Sequence, residues 1–112
     1  MMHYADLIEA LTQTGVDFAE GQWKNADTLA AQCYGVYALD NAQDLESDNV
    51  HAERFVEGTI DLFVKNSRGT DEAQNIESAL ESVGVFWRLN SGPTYENDTG
   101  YTHWEWVFDC LP

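Results

Sequence analysis

The chain has 112 residues, of which 20 are acidic and 5 are basic, so its formal net charge at neutral pH is -15. A hydrophobic fraction of 44% suffices for one folded core and excludes a disordered tail. The excess of acidic residues argues against direct binding to DNA, RNA or anionic lipid, because a negative surface repels phosphate groups. No apolar run approaches the roughly 20 residues of a membrane span. We therefore expect one soluble domain over residues 1–112.

The first half of the chain predicts a helix followed by short extended segments. Apolar residues recur with the helical period at Tyr4, Leu7, Ile8 and Leu11. Gly15 can end this helix in a left-handed conformation. Residues 16–23 read as a short extended segment, and residues 24–32 are compatible with either a helical turn or a loop. The Tyr and Val content of residues 33–39 favours a strand, after which residues 40–49 form a polar, acidic connection.

The second half predicts a long strand, a helix and a hairpin. Residues 50–65 alternate between an apolar face and a mixed, largely acidic face. After a turn that Gly69 closes, a helix ends at Gly84, and its apolar positions are Ala73, Ile76, Leu80 and Val83. Residues 85–89 predict a short strand, and residues 91–100 predict a loop or hairpin tip because they are rich in turn formers.

The final segment, residues 101–110, predicts a strand with an aromatic core stripe made of Trp104, Trp106 and Phe108. Together the elements predict an α+β fold, in which two amphipathic helices cover one face of a mainly antiparallel sheet of about four strands. Residues of one parity share a sheet face, so the opposite face should collect the strand carboxylates. We predict that this acidic face holds Glu53, Glu57, Asp61, Glu105 and Asp109.

No pattern of residues indicates an enzyme, a metal site or a bound cofactor. His51 with Glu53 and His103 with Glu105 could each share a strand face, but no nearby Cys or third His completes a metal site. Cys110 and His103 have opposite strand parity, which argues against a nucleophile and its base. Serine-nucleophile motifs and phosphate-binding glycine loops are absent from the sequence. We expect no catalytic residue, no metal and no cofactor. Cys33 and Cys110 are expected to be free buried thiols, with a single disulfide bridge between them as the alternative.

Several segments follow one another along nearly the whole chain: the helix YADLIEALTQTG, the V-D-F segment after it, the strand YGVYAL, an acidic loop that ends at Ser47-Asp48-Asn49, the strand TIDLFVKN with its turn and helix, and the final strand YTHWEWVFD. In this order they resemble the small tail-completion or tail-terminator proteins of long-tailed bacteriophages. That family includes minor capsid and head–tail joining proteins.

The resemblance implies a non-enzymatic structural protein of the virion, present in the host cytoplasm during assembly. Such proteins form homo-oligomeric rings, commonly hexamers, that cap the tail tube and offer a surface to the head connector. The predicted partners are further copies of the chain, a tail tube protein and a head-completion or connector protein, with no membrane. DNA would pass through the ring without specific binding, and the acidic face would line the lumen.

Contacts within such a ring must come from surfaces outside the core. Phe55 and Phe63 share the parity of the acidic residues and form the predicted oligomer interface, although either could pack under a loop instead. The connections at 40–49 and 91–100 are further candidates for partner contacts. Two other functions fit the sequence. One is a DNA mimic that inhibits a nucleic-acid-binding protein, and the other is a different adaptor of the phage neck.

Overall fold

A computed structural model describes residues 2–21, 33–40, 55–65 and 70–112 of the chain. In chain order the elements are α1 (Tyr4–Thr12), β1 (Phe18–Glu20), β2 (Cys33–Leu39), β3 (Val56–Lys65), α2 (Thr70–Val83), β4 (Phe86–Glu96) and β5 (Tyr101–Cys110). The predictions for 24–32, for 41–49, for a strand over 50–54 and for the turn that Gly69 closes lie outside the described residues, and so do His51 and Glu53.

The five described strands form one sheet in the order β1-β2-β3-β5-β4. β1 pairs with β2 in parallel, and the other three pairings are antiparallel. The predicted α+β class is confirmed, but the predicted count of about four strands is too low. The additional strand is β1, a three-residue edge strand that is too short for its alternation to separate it from an extended loop.

The prediction for β4 was wrong in length. The strand continues from Phe86 to Glu96, so the hairpin turn occupies only residues 97–100. Register shifts between Leu89 and Thr94 accommodate the turn-forming residues as irregularities within an edge strand, where a missing proline N–H is tolerated. Gly92 has a φ of 107°, and a Cβ atom there would lie 2.5 Å from the carbonyl oxygen of His103, so only glycine fits.

Both described helices pack on the same face of the sheet. α1 has 9 residues and α2 has 14, and neither is long and apolar enough to cross a bilayer. Their buried side chains meet the apolar parity of β3 and the aromatic stripe of β5, and the centre of this core contains Leu7, Leu11, Ile60, Leu62, Ile76, Leu80, Trp104 and Trp106. The predicted helical faces and strand parities therefore build the core.

Candidate functional site

The candidate site is the face of the sheet opposite α1 and α2, which we call the open face. Neither described helix packs on it. β3 and β5 contribute their odd-numbered residues, which alternate with the buried ones along each strand except at Tyr101, which is buried too. On these two strands the open face consists of Glu57, Thr59, Asp61, Phe63, Lys65, Tyr101, His103, Glu105, Val107 and Asp109.

Four of the five predicted acidic residues come together on the open face as two cross-strand pairs. Glu57 lies directly opposite Asp109, and Asp61 lies directly opposite Glu105. Directly opposed side chains in an antiparallel pair have Cβ atoms about 5 Å apart, so the carboxylates of each pair repel one another. Glu57 is exposed and the other three are half-buried. The fifth predicted residue, Glu53, lies outside the described residues.

The two pairs differ in how neighbouring residues compensate their charge. Oδ1 of Asp61 lies 2.7 Å from Nε2 of His103, and Glu105 accepts a hydrogen bond of 2.6 Å from the side-chain amide of Asn90. These contacts offset part of the repulsion within the Asp61–Glu105 pair. For Asp109, by contrast, none of the described residues donates a hydrogen bond to the carboxylate.

His103 connects three strands of the open face. Besides its contact with Asp61 on β3, its Nδ1 lies 3.4 Å from Oε2 of Glu96 at the end of β4. The hydrogen bond to Asp61 raises the pKa of His103, and the charges of Asp61, Glu96 and Glu105 act in the same direction, whereas burial opposes them. The polar contacts of the imidazole are thus with carboxylates of β3 and β4. In the described ranges, no three His, Cys, Asp or Glu side chains are grouped so that they could hold a metal.

The two predicted interface residues have different surroundings. Phe55 stands just before β3 with 51% of its surface exposed. Phe63 is half-buried, with its ring stacked between Tyr34 at 4.8 Å and His103 at 4.3 Å. The edge of Tyr101 also contacts it, with ring centroids 6.2 Å apart. Phe63 thus belongs to an aromatic cluster within one subunit, and Phe55 is the freer of the two for contact with another chain.

The exposed apolar residues of β4 were not predicted from the sequence as part of a surface. Three large apolar side chains of this edge strand are exposed: Phe86 by 65%, Leu89 by 41% and Tyr95 by 55% of their surfaces. Large apolar residues stand on both sides of Gly92-Pro93, and they were the one indication in the sequence that the strand continues. The turn formers between them favoured a loop instead.

A shallow cavity of about 300 Å³ lies at the Glu57–Asp109 end of the open face. Asp40, Glu57 and Asp109 border it with carboxylates, and Phe86 and Val107 are among its apolar lining residues. Arg88 also lines the cavity, so three carboxylates and one guanidinium border it at this end of the open face.

No family model matches the chain, no curated protein matches its sequence and no solved structure matches its fold. What supports a function is therefore the order of sequence segments that resembles phage tail proteins, together with the geometry of the open face.

Proposed function

We propose that this chain is a tail-terminator or tail-completion protein of a long-tailed bacteriophage. In this role it is a non-enzymatic structural protein of the virion that forms a homo-oligomeric ring at the head-proximal end of the tail and joins the tail to the head connector. The observation that supports the proposal most directly is the pair of opposed carboxylate rows on a sheet face that neither described helix covers.

The opposed carboxylates are unfavourable for folding alone. A like-charge pair directly across two strands costs about 0.2–1 kcal/mol relative to a neutral pair. Solubility does not require this arrangement, because 20 acidic residues give the same net charge wherever they stand on the surface. Two such pairs on one face are what we expect if the field of that face has a role in function. A lumen lined by like charge lets DNA slide past without adhering.

Further copies of the chain would complete the ring, with exposed Phe55 at a subunit contact. A tail tube protein and a head-completion or connector protein would bind its two rims. The main competitor is a DNA mimic, which presents carboxylates on a convex surface that enters a basic cleft.

Co-expression with the tail tube protein of the same genome tests the assignment. Genes for a connector and a tail tube protein should lie beside the gene for this chain, and electron microscopy should show rings at one end of the tubes. Tubes with bare ends, together with a monomer that binds and inhibits a basic nuclease or repressor, would establish the DNA mimic instead.

The role of the open face has its own test in phage that carry neutralised variants. One variant removes three charges and keeps a side-chain oxygen as an acceptor at each position, through Glu57→Gln, Asp61→Asn and Glu105→Gln. The matched control removes three exposed charges elsewhere, through Glu9→Gln, Asp17→Asn and Asp98→Asn. We expect both phages to assemble and only the first to eject DNA more slowly. Equal ejection kinetics would refute the lumen role.

A further inference from the structure

A second surface lies on the other side of the sheet, between α2 and the edge strand β4. This groove has a volume of about 630 Å³ and is lined by Gln74, Glu77, Ser78, Glu81, Ser82 and Trp87. It shares no residue with the carboxylate pairs of the open face. The role of this groove is therefore independent of the role of the open face.

The apolar side of the groove comes from β4. Trp87, Leu89 and Tyr95 lie opposite residues of β5 that face the core, so they point to the helix side of the sheet. α2 is anchored over β5, where Trp106 donates a hydrogen bond of 2.9 Å to Glu77. Leu89 and Tyr95 extend beyond this helix and remain 41% and 55% exposed. Apolar side chains on the core side of the sheet are thus left without a covering helix in the described part of the chain.

The other side of the groove is acidic. Glu77 and Glu81 stand one turn apart on α2, and each accepts a hydrogen bond from an indole N–H through one carboxylate oxygen. The donors are Trp106 and Trp87, at 2.9 and 3.0 Å. These bonds fix the positions of the carboxylates, and the second oxygen of each is left for a cation to approach. The groove therefore joins a negative wall on α2 to an apolar floor, which begins at Trp87 and continues beyond the groove along Leu89 and Tyr95.

The backbone of β4 supplies a third element. β4 ends the described sheet, and residues 86–89 pair regularly with β5 on one side only. An edge strand presents unpaired N–H and C=O groups to an incoming chain. The register shifts after Leu89 and the missing N–H of Pro93 limit regular pairing to about the first five residues.

We propose that β4 accepts a short extended segment of a basic partner protein as an additional strand. Main-chain hydrogen bonds to residues 86–90 would hold this segment, and its side chains would alternate between the two faces of the sheet. On the groove side, Lys or Arg stems pack over Trp87 and Leu89 while their charges reach Glu81 and Glu77. On the open side, Phe86 is 65% exposed between Arg88 on its own strand and Asp109 opposite it, so the two charges offset each other and an apolar side chain of the partner fits against the Phe86 ring.

A second copy of this chain does not match the same chemistry. Its five basic residues stand at positions 24, 54, 65, 68 and 88, and no two of them are two positions apart. No segment of the chain can therefore place two positive charges on the groove side of an added strand. The occupant is thus a different protein, recognised by a period-two alternation of basic and apolar residues.

Selection from a displayed library of random twelve-residue peptides tests the proposal. We expect the enriched peptides to carry Lys or Arg at alternate positions. When bound, they should slow hydrogen exchange of the backbone amides at residues 86–90. Enriched peptides without this alternation, or protection confined to other parts of the sheet, would overturn the proposal.

Three variants sharpen the measurement. Leu89→Lys places a charge on the apolar floor at a partly exposed position and should weaken peptide binding at least tenfold, on the order of an interface anchor. Glu77→Gln with Glu81→Gln keeps the acceptors for both indoles and should weaken binding about fivefold or more. The control, Glu9→Gln with Asp98→Asn, removes two exposed charges elsewhere and should leave affinity unchanged. Equal losses in the control and the groove variant, or self-association that Leu89→Lys abolishes, would contradict a basic partner.

Discussion

Replacement of Asp109 by asparagine should stabilise the fold, although it alters a strand residue beside the buried Cys110. Asp109 faces Glu57 directly across the antiparallel pair, and none of the described residues donates a hydrogen bond to its carboxylate. Asparagine has nearly the same shape and removes the charge. The substitution therefore relieves cross-strand repulsion without leaving a buried donor or acceptor unsatisfied.

The size of the effect follows from the separation of the charges. Two unit charges about 5 Å apart interact by about 0.8 kcal/mol at the dielectric constant of water, and measured cross-strand pairs contribute about 0.2–1 kcal/mol. We therefore expect Asp109→Asn to raise the free energy of unfolding by about 0.5 kcal/mol. For a chain of this length that corresponds to roughly 2 °C in melting temperature.

Urea unfolding at low and high salt provides the assay. The gain should be present at about 20 mM salt and largely lost near 1 M, where the screening length is about 3 Å. Asp98→Asn, in the exposed hairpin turn, controls for the change in net charge. A double-mutant cycle with Glu57→Gln should show a coupling of similar size. A gain that is independent of salt, or equal in the Asp98 control, would refute repulsion between the pair.

Three further predictions concern side chains whose pKa or hydrogen bonding depends on their neighbours, namely His103, Glu77 and Cys110. The pKa of His103 is raised in the folded chain, so its contribution to stability is complete below the unfolded pKa of about 6.5 and is lost as the pH rises through the folded pKa. His103→Gln should accordingly flatten the fall in urea midpoint as the pH rises above about 6.5, and an unchanged pH profile would contradict the Asp61 contact. Glu77→Ala removes the acceptor of the fully buried Trp106 indole and should cost about 1–3 kcal/mol in urea unfolding, whereas Glu77→Gln keeps an acceptor and should cost less than half as much. Burial, assisted by the charge of Asp109, raises the pKa of Cys110 to about 11, so at pH 8 roughly one thiol in a thousand is ionised. A disulfide reagent should modify Cys110 slowly in the native protein and rapidly in urea, and rapid native modification would show that the thiol is accessible and ionised.

Periodicity was sufficient to predict the layers of the fold. Ile76 and Leu80 recur at the helical period, and the parities of β3 and β5 separated buried residues such as Ile60 and Trp106 from the carboxylates. These patterns are local, and burying one face of each element determines which side the helices cover. Four acidic residues could therefore be assigned to one face before their register was known.

The features that sequence could not predict depend on register and on pairing between distant strands. The contact of His103 with Asp61 joins residues 42 positions apart, and Phe63 finds Tyr34 only because β2 and β3 align at that point. In β4 the strand continues through Gly92-Pro93 because irregular pairing absorbs it, although these residues usually indicate a turn. The parallel pairing of β1 likewise depends on three residues whose own pattern carries little information.

Electron cryomicroscopy of the proposed ring, reconstituted with the tail tube protein of the same genome, would test the central claim most directly. We predict that Glu57, Asp61, Glu105 and Asp109 of every subunit line the channel, with α1 and α2 directed away from it. A ring whose channel is lined by the helices, or in which these four carboxylates are buried between subunits, would contradict the account.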